Sequence, residues 1–394
     1  MNKKNITIIG AFGCGNAGDD AILNGLISTY GDISNITVTS GMQVDLTKEL
    51  DIKTIRCRFC EGISISVLLC MIIDVPRIML NIAKCDILFI GGGSLIHDLR
   101  KYNLPFFFLL QSAARFFHKP IFYVNIGVGP IDTPYWRKNI HKHLNKAVGV
   151  YPRDEYGVRL LKDLGVRNAV LAADAVFSTQ PYSKINHDSQ VNGIMNSLMI
   201  KTGEYITFTS CRWFTGTNFW KQSKMNFSNE VNFLKEVISF TYERYSLPIV
   251  FVPTVFHDYW LGCELKKMID EDFFMVVEKN LSPKIYSAII GNSFMLVGMR
   301  MHSLLFAAKA YVPFITIVYD QKVRNFLKMF EMSEYSMELD EIDIDKYKRI
   351  IDTLYNNYDC ISEKLKAKTE ILMTRNSIIS GEIKGAIIGN ELFD

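Results

Sequence analysis

Charge of one sign is what this chain lacks most. Its 44 Lys and Arg are nearly matched by 41 Asp and Glu, leaving a formal net charge of +3 over 394 residues. No dense Lys/Arg run appears, so nucleic-acid binding by bulk electrostatics is excluded. Cysteine is sparse and unpatterned: 8 residues scatter without a disulfide framework. Cys57 and Cys60 form a lone CxxC, without the second pair or spaced His that a zinc site needs. They read as small half-buried thiols in a reducing cytosol, with redox or metal chemistry the alternative. No apolar run reaches the ~20 residues of a membrane span. The stretch 62–73 stops well short, and the apolar start after Lys3-Lys4 is broken by glycines and Asp19-Asp20, too early for a secretory signal. A soluble, cytoplasmic protein is expected.

What is present is a globular composition, 48% hydrophobic and 22% charged. The length exceeds one ordinary core and implies two domains. β-rich runs at 5–10, 35–39, 53–55, 86–90, 120–126, 148–151 and 169–172 alternate with helical patterns at 19–30, 104–117, 134–145 and 154–164. Such alternation predicts a mostly parallel sheet covered on both faces. After a polar stretch the alternation restarts, with strands at 205–210, 249–253, 273–277, 294–297 and 314–318. We therefore expect α/β architecture with two Rossmann-like domains facing a cleft, as in the GT-B fold. The expected division is 1–178, a linker at 179–202, 203–340, and C-terminal helices over 341–394 packing across the domains.

Chemistry concentrates in 298–322, GMRMHSLLFAAKAYVPFITIVYDQK. Arg300 and His302 stand at the start of an apolar helix, where unpaired backbone N–H groups and the helix dipole favour an anion. That helix leads into strand 314–318, and Lys322 follows the strand's end. Ligands of open α/β sheets bind at such strand ends, so three cations on one rim point to a phosphate or carboxylate substrate.

Five other strand ends carry signals. Gly13-x-Gly15-x-x-Gly18 outlines a dinucleotide fingerprint. However, Asp19 and Asp20 would repel a pyrophosphate there, and strand 35–39 has no acid at its end to hold a ribose. The loop reads instead as one presenting Asn16 and Asp19 to a ligand, or as a tight turn whose acids complement the helix dipole. Gly91-Gly92-Gly93-Ser94 leaves backbone N–H groups uncovered after a strand, a nest for an anion or a packing turn. Arg153 follows strand 148–151, either as a ligand contact or in an ion pair with Asp154 or Asp174. Arg212 follows strand 205–210, beside the flat face of Trp213, and His257-Asp258 follows strand 249–253.

In order along the chain, GAFGCGNAGDDAIL, ILFIGGGSLIHD, YPRDEYGVRLLKDLGV, AADAVFS and GMRMHSLLFAAKAYVPFITIVYDQKV closely resemble the polysaccharide pyruvyl transferase family. The resemblance runs from about residue 6 to 330, and its last motif is the most specific. It implies transfer of a pyruvyl group from phosphoenolpyruvate to two hydroxyls of a sugar in a cell-surface glycan or its lipid-linked precursor, forming a cyclic ketal. It implies no cofactor and no metal. Arg153, Arg300, His302 and Lys322 would hold the donor, with the Asn16–Asp20 loop facing a substrate. Asp20 is one methylene shorter than the glutamate the family more often carries.

Chemically, Arg300 and Arg153 would bind the donor and leaving phosphate, His302 would pass a proton, and Asp19 would activate the sugar hydroxyl. Gly92, Gly93 and Arg212 complete the expected substrate contacts. The competing readings are a GT-B glycosyltransferase using a nucleotide sugar and a non-catalytic anion- or glycan-binding protein. Peripheral attachment to the inner membrane face would draw on residues 63–73 and on Phe106-Phe107-Phe108 with Phe116-Phe117, which otherwise read as core helices.

Overall fold

A computed structural model describes residues 3–42, 44–48, 50–61, 68–181, 189–211 and 227–389. The chain divides into two compact units, 1–179 with 371–394, and 180–370. The expected linker region therefore differs in detail: 180–202 belongs to the second unit and carries a helix. Val191 and Met195, four residues apart, are buried on that helix, an i,i+4 stripe that its polar composition masks.

The first unit contains strands β1 (Lys4–Phe12), β2 (Ser34–Ser40), β3 (Lys53–Arg56), β4 (Ile87–Gly91), β5 (Ser94–Ile96), β6 (Ile121–Val128) and β7 (Gly149–Pro152). All pair in parallel in the order β3-β2-β1-β4-β6-β5, with β7 also on β6. The central strands are apolar on both faces: every residue of β4 is buried. Helix α1 (Ala17–Tyr30) follows β1, α2 (Val75–Lys84) precedes β4, α3 (Asn103–Phe116) precedes β6 and α4 (Glu155–Asp163) follows β7. Phe106, Phe107 and Phe108 of α3 are core residues: Phe106 stacks on Phe59, Phe107 meets both edge to face, and Phe108 packs on Trp136 and His143. Phe116, at the end of the same helix, is 77% exposed. The strand expected at 169–172 is reduced to a single bridge, Val150 to Ala169. Cys57 lies against Cys70, and the CxxC partner Cys60 has no described side chain.

The second unit begins with α5 (Ser189–Ser197) and continues through β8 (Ile206–Thr209), α6 (Phe227–Tyr245), β9 (Ile249–Phe251), α7 (Asp258–Ile269), β10 (Phe274–Val276), α8 (Pro283–Gly291), β11 (Met295–Gly298), α9 (Met301–Lys309), β12 (Phe314–Val318), α10 (Gln321–Phe330), β13 (Ser336–Glu338) and α11 (Ile344–Asn356). Its strands are parallel in the order β10-β9-β8-β11-β12-β13, a doubly wound sheet whose direction reverses between β8 and β11. The last helix, α12 (Tyr358–Ile388), starts among residues of the second unit and ends among those of the first. Among the described residues no helix is long and apolar enough to cross a membrane.

Candidate functional site

In the second unit the topology places the site before any side chain is considered. A doubly wound sheet opens a crevice where the strand order reverses, at the carboxyl ends of β8 and β11. Gly298, the last residue of β11, has no room for a Cβ, which would stand 2.9 Å from Thr209 Oγ1 on β8. The Thr209 hydroxyl lies 2.7 Å from that of Ser303, and Ser303 Oγ donates to the Arg300 carbonyl at 2.6 Å. The end of β8 thus fixes the first turn of α9, with Arg300 in extended conformation as its N-cap.

The Arg300 side chain is held as firmly as its backbone. Nε donates to Asp258 Oδ2 at 2.8 Å and Nη2 to Asp258 Oδ1 at 2.6 Å, a bidentate pair. Asp258 is the first residue of α7, so the pair joins the loops after β9 and β11. Asp258 is buried while Arg300 keeps 22% of its side chain in solvent. Burial pushes the Asp258 carboxyl up, and Arg300 pulls it back only in part. Burial also works against the Arg300 cation, yet Asp258 and neighbouring groups hold the guanidinium well above its ordinary range. The two short parallel bonds have the geometry of a guanidinium–carboxylate pair.

Around this pair stand Tyr319 and Cys211, both buried. Burial raises the Tyr319 phenol and pushes the Cys211 thiol up to about 12, so it is no nucleophile at neutral pH. The charges of Arg300, Asp258, Glu230 and Lys322 all act on Cys211, which places them around one crevice. Lys322, in the first turn of α10, lies 3.5 Å from Asp320 and remains a third exposed. His302 is half-buried in the first turn of α9, two residues beyond Arg300. The structure therefore gathers Arg300, His302 and Lys322 on one sheet edge. Arg212 falls outside the described residues. Sequence reasoning named Asp258 only as a loop neighbour of the exposed His257 and missed its partnership with Arg300. The available signal was an acid opening a helix at a strand's carboxyl end.

In the first unit, Asn16 caps α1 by accepting from Gly18 N at 3.1 Å and donates to Asp19 Oδ2 at 2.6 Å. Asp20 is turned inward, where it accepts from Gly13 N at 2.7 Å and closes the loop. Gly93 has φ +73°, and a Cβ there would meet Asp19 Oδ1 at 2.8 Å. A Cβ on Gly92 would strike the Phe12 ring. Asp19, Asn16 and Gly93 thus share the corresponding switch point of this sheet, at the ends of β1 and β4. Arg153 lies elsewhere in the unit, 5% exposed, donating to Asp174 Oδ2 at 2.8 Å and to Ser94 Oγ at 3.2 Å. Its ion-pair partner is Asp174. Asp154 instead caps α4, accepting from Gly157 N at 2.7 Å. Asn376, on the returning C-terminal helix, donates to the Asp174 carbonyl at 2.8 Å and accepts from Ala173 N at 3.0 Å.

Two parallel α/β units of this topology make up the GT-B architecture. Solved structures agree on the fold. A glycosyltransferase from Rickettsia africae ESF-5 is 12% identical, with TM-score 0.61 and full coverage of both chains (100% and 100%). Anabaena HepE in complex with UDP-glucose is 11% identical, TM-score 0.60, covering 98% of this chain and 100% of its own. UDP-GlcNAc 2-epimerase from Neisseria meningitidis, bound to UDP-GlcNAc, is 10% identical with TM-score 0.63, covering 96% and 98%. No curated protein sequence matches the chain. The family model for polysaccharide pyruvyl transferase matches residues 16–321, from the Asn16 cap to the start of α10. The chain belongs to the polysaccharide pyruvyl transferase family, a family of transferases in polysaccharide biosynthesis.

Proposed function

We propose that the rim at Arg300 binds phosphoenolpyruvate and that the protein transfers its pyruvyl group to two hydroxyls of one sugar. The products are a cyclic pyruvate ketal and inorganic phosphate. The observation that carries this reading is the Arg300–Asp258 pair at the start of α9, with His302 in the same turn. Phosphoenolpyruvate joins a phosphate and a carboxylate on three carbons, so it calls for several fixed cations at a helix start. Asp258 occupies Nε and one Nη2 proton of Arg300, which leaves the Nη1 edge of the guanidinium for the ligand.

The chemistry assigned to the rim is acid catalysis followed by two additions. His302 gives a proton to the methylene carbon, cationic character develops at C2, and the first sugar hydroxyl adds there. The second hydroxyl closes the ring as the C2–O bond to phosphate breaks. Of the two hydroxyl protons released, one restores His302 and the other leaves on phosphate. Arg300 and Lys322 stabilise the charge that builds on the departing phosphate. The reading requires no metal or other cofactor, because these cations supply what a divalent ion would. A lipid-linked acceptor would put the reaction at a membrane face.

Calorimetric titration tests the donor. Phosphoenolpyruvate should bind and UDP-glucose should not, and Arg300→Ala should weaken binding by about 1.5–3 kcal/mol, the worth of hydrogen bonds to a charged group. Unchanged affinity in Arg300→Ala, or tight binding of UDP-glucose, would remove this assignment. Loss of activity in EDTA with recovery in magnesium would overturn the metal-free reading.

A further inference from the structure

The helical segment that ends in α2 is amphipathic in an uneconomical way, because its outer side is apolar too. Its inner stripe, Val75, Ile78 and Ile82, is buried against the sheet in the same core as Phe107 and Leu110 of α3. On the outside, Leu68, Leu69, Met71, Ile72 and Leu80 are exposed, Ile72 and Leu80 each by 64%. The neighbouring α3, which packs beside α2, ends in exposed Phe116 and Phe117, edge to face at 5.2 Å. Both helices run into adjacent strands, β4 and β6, so their C-terminal ends reach the same edge of the sheet. Large apolar side chains left on the outside of two helices that pack side by side are what an interaction surface presents.

The charge on this face has one sign. Arg77, Lys84 and Arg115 are exposed among the apolar side chains. The single acid over residues 68–84 is Asp74, which is fully buried and paired with Arg58 at 2.6 Å. Residues 103–119 carry no acid at all. We propose that the outer face of α2 and the end of α3 dock on an anionic lipid bilayer, with Ile72, Leu80 and Phe116 entering the headgroup boundary and Arg77, Lys84 and Arg115 meeting lipid phosphates. This combination of an apolar stripe with flanking cations is what an interfacial helix requires. A second copy of the chain is disfavoured as the occupant. A two-fold interface sets each patch against itself, bringing three cations on each side together. The inference deepens the lipid-linked reading of the acceptor, but its test needs neither acceptor nor donor.

Full-length protein is sedimented with vesicles of phosphatidylcholine alone or with 30 mol% phosphatidylglycerol. Binding at least tenfold stronger to the anionic vesicles is expected, weakening in 0.5 M salt. The double variant Leu80→Glu/Phe116→Glu should lower binding at least tenfold while phosphoenolpyruvate titration is unchanged. Because those changes could disturb packing, Arg77→Gln/Arg115→Gln is the parallel variant and should weaken the preference for anionic lipid alone. No sedimentation with anionic vesicles, or equal binding to neutral ones, overturns the proposal. So does light scattering that shows a dimer abolished by the double variant, because a second copy would then cover the face. Vesicle binding without phosphoenolpyruvate binding would sink the donor assignment and leave this surface standing.

Discussion

Replacing Asp258 by Asn preserves the shape of the side chain and removes only its charge. One amide oxygen can still accept from Arg300, but the amide nitrogen then faces a guanidinium N–H, donor against donor. Breaking a fully buried pair by removing one charge costs about 3–5 kcal/mol. Arg300 keeps 22% of its side chain in solvent, where water takes up part of the loss. We therefore expect Asp258→Asn to destabilise the second unit by about 2–3 kcal/mol. The freed guanidinium would rotate toward solvent, and phosphoenolpyruvate affinity should fall roughly tenfold, which is 1.4 kcal/mol. Urea unfolding followed by circular dichroism reads the first number, and calorimetric titration of the folded variant reads the second. Arg300→Lys is the companion experiment: it keeps the charge but loses the bidentate geometry, and should match Asp258→Asn in affinity. A folded Asp258→Asn protein that binds phosphoenolpyruvate unchanged or more tightly would refute the reasoning, because Asp258 would then be a competitor of the ligand.

Three further outcomes are expected. His302→Gln should lower turnover at least about 100-fold, the usual worth of a general acid, with donor affinity and thermal midpoint near wild type; normal turnover would remove His302 from proton transfer. Gly93→Ala places a side chain at φ +73° against Asp19 Oδ1, and should cost about 1–2 kcal/mol for the left-handed backbone alone; an equally stable variant would show that the turn relaxes freely. Burial holds the His143 imidazole, stacked on Phe108, below its ordinary range. Its folded form binds the proton less well than the unfolded one, so this contribution is present above about pH 6.5 and is lost as pH falls. His143→Phe should accordingly flatten part of the drop in melting temperature between pH 7.5 and 5.5, and an unaltered drop would assign it to other groups.

The parallel sheets were legible in the sequence because strands buried on both faces read as continuous apolar runs, as at 86–90 and 314–318. The cationic helix start was equally plain, since Arg300 and His302 are local to one turn. Short elements escaped. β5 and β13 have three residues each and, unlike the equally short β9 and β10, sit in no longer apolar run that would betray them. Long-range partners escaped for a different reason. Asp258 and Arg300 are 42 residues apart, and Asn376 lies 202 from Asp174. Nothing in a local pattern records which loops a sheet's winding brings to one crevice. The polar stretch around Val191 and Met195 concealed a helix because two apolar positions sufficed to seat it.

The position of Asn376 has a consequence for how the protein is made. The pocket formed by Asn125, Ala173 and Asp174 is complete only when this side chain arrives from the C-terminal helix. During synthesis, residues 1–179 emerge first, and the intervening 180–370 must be translated before the segment that belongs with them. At ordinary elongation rates that interval is on the order of 10–40 s. Throughout it the nascent first unit holds its parallel sheet without its closing helix. Emergence of the first 179 residues is therefore not enough to give Ala173 and Asp174 their final hydrogen-bond partner, which follows only after residues 180–370 have been made.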